Sequence, residues 1–134
     1  MGLDQYLFRL GDTDAEGKQD REEVAYWRKA NHIHKWFVDQ CGDPADDNVV
    51  DMPVNLEQLA GLKTTCERVL TGEARPELVL GTKDGFFFGG LDYDEGYLND
   101  CAHTVAMIDV ILNTEMWRAE QRMAPGQYIY WAWY

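Results

Sequence analysis

The chain contains no serine. This removes the usual alcohol nucleophile, and with it the G-x-S-x-G elbow of the hydrolases. Thr and Cys remain, but none stands at a recognisable spacing from a His and an acid. Cysteine is also scarce. Cys41, Cys66 and Cys101 are far apart and form no C-x-x-C pair, so a zinc site of the usual kind is not expected. Three thiols on apolar helix faces fit a reduced, cytoplasmic protein. Basic residues are few, with 12 Lys and Arg against 24 Asp and Glu and a net charge of −12. Free nucleic acid is therefore an unsuitable partner, because phosphate contacts need Lys and Arg. No apolar run reaches the ~18 residues of a membrane span. The start, MGLDQYLFRLGD, carries an acid at position four and no long apolar region, unlike a signal peptide. Tyr6 stands where a myristoylation pattern wants Ser or Thr. The phosphate loop G-x-x-x-x-G-K-[ST] is absent, and no cofactor or metal is expected.

What is present is aromatic and strongly patterned. Five Trp, seven Tyr and five Phe argue for a packed core in spite of the charge. A chain of 134 residues fits one domain, 1–134. Leu3 to Leu10 alternates like a strand, with Tyr6, Phe8 and Leu10 as its apolar face. Gly11 to Lys18 is a polar turn. The spacing of Tyr26, Ala30, Ile33 and Phe37 predicts one helix over residues 21–41, with its strongest pattern from Glu22 to Val38. Asp20 is its expected cap, and Gly42 with Pro44 its stop. On that helix Arg21, Arg28 and Lys35 fall seven apart and form a basic stripe, with His32 beside it and Lys29 and Trp36 on its flank.

Residues 43–51 form an acidic connector. Asn55 and Gln58 then make a capping-box pair for a second helix, which ends at Gly72. Residues 78–80 and 85–90 read as short strands or buried loops. Asp92 or Asp94 caps a third helix with Leu98, Cys101, Val105, Ile108 and Leu112 on its core face. Residues 115–124 read as a further helical turn. Gln127 to Tyr134 reads as an aromatic strand whose natural partner is the first strand, since both termini are then tied down. The expected fold is α+β, with three main helices on a small antiparallel sheet that pairs the N- and C-terminal strands.

Several motifs carry competing readings. His32 and His34 are two apart, which on a helix sets them roughly 200° apart and prevents a shared metal. His34 is expected at the core edge and His32 in solvent. Asp92, Asp94 and Glu95 resemble a calcium loop, but Gly96 falls in the fifth place where the EF-hand pattern needs a ligand. The acid instead suits capping, or a face for a basic partner. Trp27, Arg28, Asn31, His34 and Trp36 have the residue types of a nucleotide pocket, though aromatics at helical spacing are more often core.

Three stretches carry a resemblance: MGLDQYL at the start, EEVAYWRKANHIHKWF at 22–37 and GFFFGGLDYDEGY at 85–97. By these the chain resembles a group of small phage and prophage proteins. The resemblance implies a context and no residue role: an accessory factor of the host bacterial cytoplasm that blocks a defence system, as anti-CRISPR proteins do. The resulting expectation is a non-enzymatic inhibitor of a basic, nucleic-acid-handling host protein, such as a CRISPR effector subunit. Asp43, Asp46, Asp47, Asp51, Asp92, Asp94 and Glu95 are its expected contacts. The alternative is a small nucleotide- or metabolite-binding protein, or an enzyme, that uses Arg28, Asn31, His32, Lys35 and Trp36. A homodimer through the aromatic edge strand is a third reading.

Overall fold

The computed structural model describes residues 2–42, 51–82 and 92–133. The order of elements is β1 (Asp4–Thr13), β2 (Gln19–Arg28), α1 (Asn31–Cys41), β3 (Met52–Val54), α2 (Leu56–Leu70), α3 (Pro76–Val79), α4 (Glu95–Glu120) and β4 (Gln127–Trp133). The strands form one antiparallel sheet in the order β2-β1-β4-β3. The fold is α+β, and the first and last strands pair as expected, with Leu7 opposite Tyr130.

The largest departure from expectation is at 19–28. This stretch is a strand and not the first half of a helix. Its core residues, Ala25 and Trp27, are two apart, while Tyr26 and Arg28 face away. The helical spacing of Tyr26 with Ala30 is a coincidence of two different elements. Pairing with β1 overrides it, because β2 satisfies the outer main-chain groups of β1 along most of its length. The turn before it is held by Asp14, whose carboxylate accepts from the amides of Glu16 and Lys18 at 2.9 Å each. The basic stripe therefore does not exist. Arg21 pairs with Asp51, Lys35 with Asp39, and Arg28 stands elsewhere.

All the long helices pack on one face of the sheet. Leu3 just before β1, Leu7 of β1, Trp27 of β2 and Tyr130 of β4 meet Ile33 and Phe37 of α1, Leu59, Leu62 and Cys66 of α2, and Cys101 and Ile108 of α4. The inner face of β1 is thus Gln5 and Leu7, continued by Leu3 just before it. Tyr6, Phe8 and Leu10 point outward and are half-buried. A buried polar seam ties the layers. Gln5 donates to Ala30 O at 3.0 Å and to the Tyr130 hydroxyl at 3.1 Å, and accepts from Ala30 N at 2.9 Å. Trp27 Nε1 donates to Thr104 Oγ1 at 2.8 Å, which anchors α4 over β2.

The capping box of α2 is present, with Asn55 and Gln58 exchanging bonds. Asp94 rather than Asp92 caps α4. That helix runs unbroken to Glu120, so 115–120 continues it instead of starting a new turn. Leu98 lies on its exposed side; Tyr97, Thr104, Ile111 and Glu115 share the buried one with Cys101 and Ile108. Residues 76–79 form a helical turn opened by Pro76, not a strand. The aromatic run 85–90 lies outside the described residues.

Candidate functional site

The strand β2 ends at Arg28 and α1 begins at Asn31, so Lys29 and Ala30 make the corner. Lys29 takes φ of 56°, a left-handed conformation that costs an ordinary side chain energy. Its amide donates to Leu3 O at 2.7 Å, and Ala30 is clamped on both sides by Gln5. The fold thus imposes a sharp corner that places Arg28, Lys29 and the start of α1 side by side. Ala30 supplies no side-chain cap, and the first turn of α1 contains no acid. The positive end of the helix dipole is therefore uncompensated by its own side chains.

Across from this corner lies the start of α4. Between the two is a cleft of about 290 Å³, lined by Arg28, Lys29, Asn31 and His32 on one wall and by Asp92, Asp94, Gly96, Tyr97 and Asp100 on the other. Asp94 accepts from the Tyr97 amide at 3.1 Å, which fixes the second wall. Tyr97 is buried, and its hydroxyl donates to Leu80 O at 2.6 Å. The His32 ring stacks on the Tyr97 ring with centroids 4.0 Å apart, joining the walls at their base.

Electrostatically the cleft is unsettled. Several cations elsewhere are paired, as in Arg9 with Glu22 and Lys63 with Asp109, though Lys18 and Arg122 form no ion pair among the described residues. Among the described residues, neither Arg28 nor Lys29 forms an ion pair, although three carboxylates stand opposite. His32 is only 3% exposed, and among the described residues its Nε2 has no hydrogen-bond partner. A buried polar atom left in this state costs free energy and calls for an explanation. Burial raises the Asp100 pKa, with nearby His32 and His103 opposing it and Asp94 adding to it. Beneath the cleft, hydrogen bonding to Cys101 and then burial push the Cys66 thiol up, and Cys101 is lowered first by Cys66 and then by His32. Among the described residues no group of three or more His, Cys, Asp or Glu is placed to hold a metal ion.

The residues singled out from the sequence divide as follows. Arg28, Asn31 and His32 come together in the cleft, and Asp92 and Asp94 face them. His32 is buried rather than in solvent, because the corner at Lys29 turns α1 inward onto Tyr97. His34 is fully buried and meets the Tyr130 hydroxyl at 2.9 Å. Lys35 and Trp36 lie apart, in a narrow groove of about 50 Å³ on the other side of His32. Asp51 is held by Arg21 in two 2.8 Å bonds, and Glu95 is exposed in the first turn of α4. Asp43, Asp46 and Asp47 lie outside the described residues. Lys29, expected on the flank of the basic stripe, joins the cleft, as do Tyr97 and Asp100 from the acidic run at the start of α4. The sequence signal for the corner at Lys29 is its place between an alternating and a helical pattern.

Among the described residues no helix is long and apolar enough to cross a membrane. Comparison with protein-family models, with curated proteins and with solved structures finds no match for the chain.

Proposed function

We propose that this protein binds a small anionic metabolite, without chemistry of its own, in the cleft between the starts of α1 and α4. One observation carries the reading. In a chain of net charge −12, Arg28 and Lys29, which form no ion pair among the described residues, share a cleft with the buried His32 at a helix start that Ala30 leaves without a side-chain cap. Helix N-termini favour anions through their amides and dipole, and Arg adds a fork that suits carboxylate or phosphate. Volume sets the scale, since about 290 Å³ lies at the small end of ligand pockets. Two of the stretches that carry the phage-type resemblance, 22–37 and 85–97, supply all the wall residues except Asp100, which supports a shared role for them.

Native mass spectrometry of protein purified gently from a bacterial lysate tests the reading. A small-molecule adduct on the wild type that is lost in Arg28→Ala is the expected result. A bare chain in both, together with no binding of added anions, overturns it.

A second reading keeps the anti-defence inhibitor. It is favoured by the outward sheet face, where Tyr6 packs on Phe8, Tyr26 and Trp131, and where Trp133 is 65% exposed. Exposed aromatics beside acid suit the docking of a basic protein. Neutralising Asp46, Asp47 and Asp51 together is expected to weaken such a complex while the protein stays folded. Unchanged binding contradicts this reading.

A further inference from the structure

We infer that the ligand of the α1–α4 cleft is a zwitterion of amino-acid size, with its anionic end at Arg28 and the α1 N-terminus and its primary ammonium at Asp92 and Asp100. This rests on the anion-binding reading above and adds the second charge.

The argument starts from the unlike walls. Arg28 and Lys29 face Asp92, Asp94 and Asp100 across the same cleft, yet among the described residues no ion pair joins the two sides. Each wall is held by its own element. The cationic wall is fixed by the Lys29 corner and the Gln5 clamp on Ala30. The anionic wall is fixed by the Asp94 cap and by the Tyr97 hydroxyl on Leu80 O. The His32–Tyr97 stack at the base keeps the two elements in register.

A simple anion placed against Arg28 meets the repulsion of three carboxylates on the other side. An ammonium on the same molecule converts that repulsion into attraction, and it brings three donors to carboxylates that accept freely. Asp92 is exposed with no described partner, and Asp100 is half-buried among His32, His103 and Asp94. Asp94 spends one oxygen on the Tyr97 amide. His32, buried at the junction of the walls, forms the base of the cleft beside Asp100. The cleft is too small for a dinucleotide and suits a compact molecule whose two charges lie close together.

Isothermal titration calorimetry on the full chain tests this with the twenty free α-amino acids. The tightest binder is then compared with its N-acetyl and its carboxamide derivatives, and with inorganic phosphate. The expected result is saturable binding of at least one amino acid. Either derivative should bind roughly ten- to hundred-fold more weakly, because each loses one charge-assisted contact. Asp92→Asn should weaken the free amino acid and leave the N-acetyl form no weaker. If the N-acetyl form binds as well as the parent, or phosphate binds and no amino acid does, the zwitterion is overturned while the anion reading stands. If the carboxamide binds as well as the parent, or nothing binds, both fall.

Discussion

The His32 ring lies over the Tyr97 ring at 4.0 Å, so the first turn of α1 rests directly on the first turn of α4. The contact is apolar in shape but leaves Nε2 without a bond among the described residues. That combination separates folding from binding. His32→Phe keeps a ring on Tyr97 and removes the unpaired nitrogen. It also removes the imidazole's hydrogen bond to Cys101, so a loss of about 1 kcal/mol in urea is expected although the swap nearly conserves volume. The ligand adduct in native mass spectra should vanish. Loss of folding in this variant would show that the imidazole is structural.

Gln5 gives the opposite case. It is fully buried and bonds Ala30 twice and Tyr130 once. Gln5→Leu leaves the Ala30 amide and carbonyl buried without their partner. A loss of about 3 kcal/mol is expected, read from the urea midpoint. The cleft corner depends on this clamp, so ligand affinity should fall with stability.

At the far end of α4, Glu115 is 6% exposed and accepts from the Tyr128 hydroxyl at 2.5 Å and the Gly126 amide at 3.0 Å. This carboxylate pins the turn into β4. Tyr128→Phe removes its shortest bond and should cost about 2 kcal/mol, as hydrogen bonds to charged groups do. The site lies away from the cleft, so ligand binding measured by calorimetry on the folded variant should be unchanged.

Asp100 carries a pH signature. Burial lifts its folded pKa above the unfolded value. The folded state therefore holds the proton more tightly than the unfolded chain. The stability this confers is full below the unfolded pKa and is lost as pH rises through the folded one. Near neutral pH the charged Asp100 works against folding. Asp100→Asn should raise the melting temperature at neutral pH, and the gain should shrink as the solution is acidified through the carboxylate range. The same variant should lose affinity for a zwitterionic ligand, trading binding for stability.

How much of this was readable in the residues depends on which period a segment follows. The alternation of Leu3 to Leu10 and of Gln127 to Tyr134, and the Asn55–Gln58 box, led directly to β1, β4 and α2, although the expected apolar face of β1, Tyr6, Phe8 and Leu10, is its outward one. The stretch 19–28 was misread because Tyr26, Ala30, Ile33 and Phe37 match a helical spacing across the corner at Lys29. The competing signal was the buried pair Ala25 and Trp27, which alternates with Tyr26 and Arg28. That error also set the site. On one continuous helix Arg28 and Lys35 share a stripe. With the chain turning at Lys29, Arg28 joins Asn31 and His32, while Lys35 turns away to Asp39. Tyr97 and Asp100 sit on a helix far along the chain, and no local pattern marks their approach to His32.

The most direct test of the central claim is an amide-resolved NMR titration of the wild type and of Arg28→Ala with free amino acids. Saturable shifts confined to residues 28–32 and 92–100 in the wild type, and absent in the variant, are the predicted result. Saturable shifts on the outward face of β1 and β4 instead, or none anywhere, would contradict it.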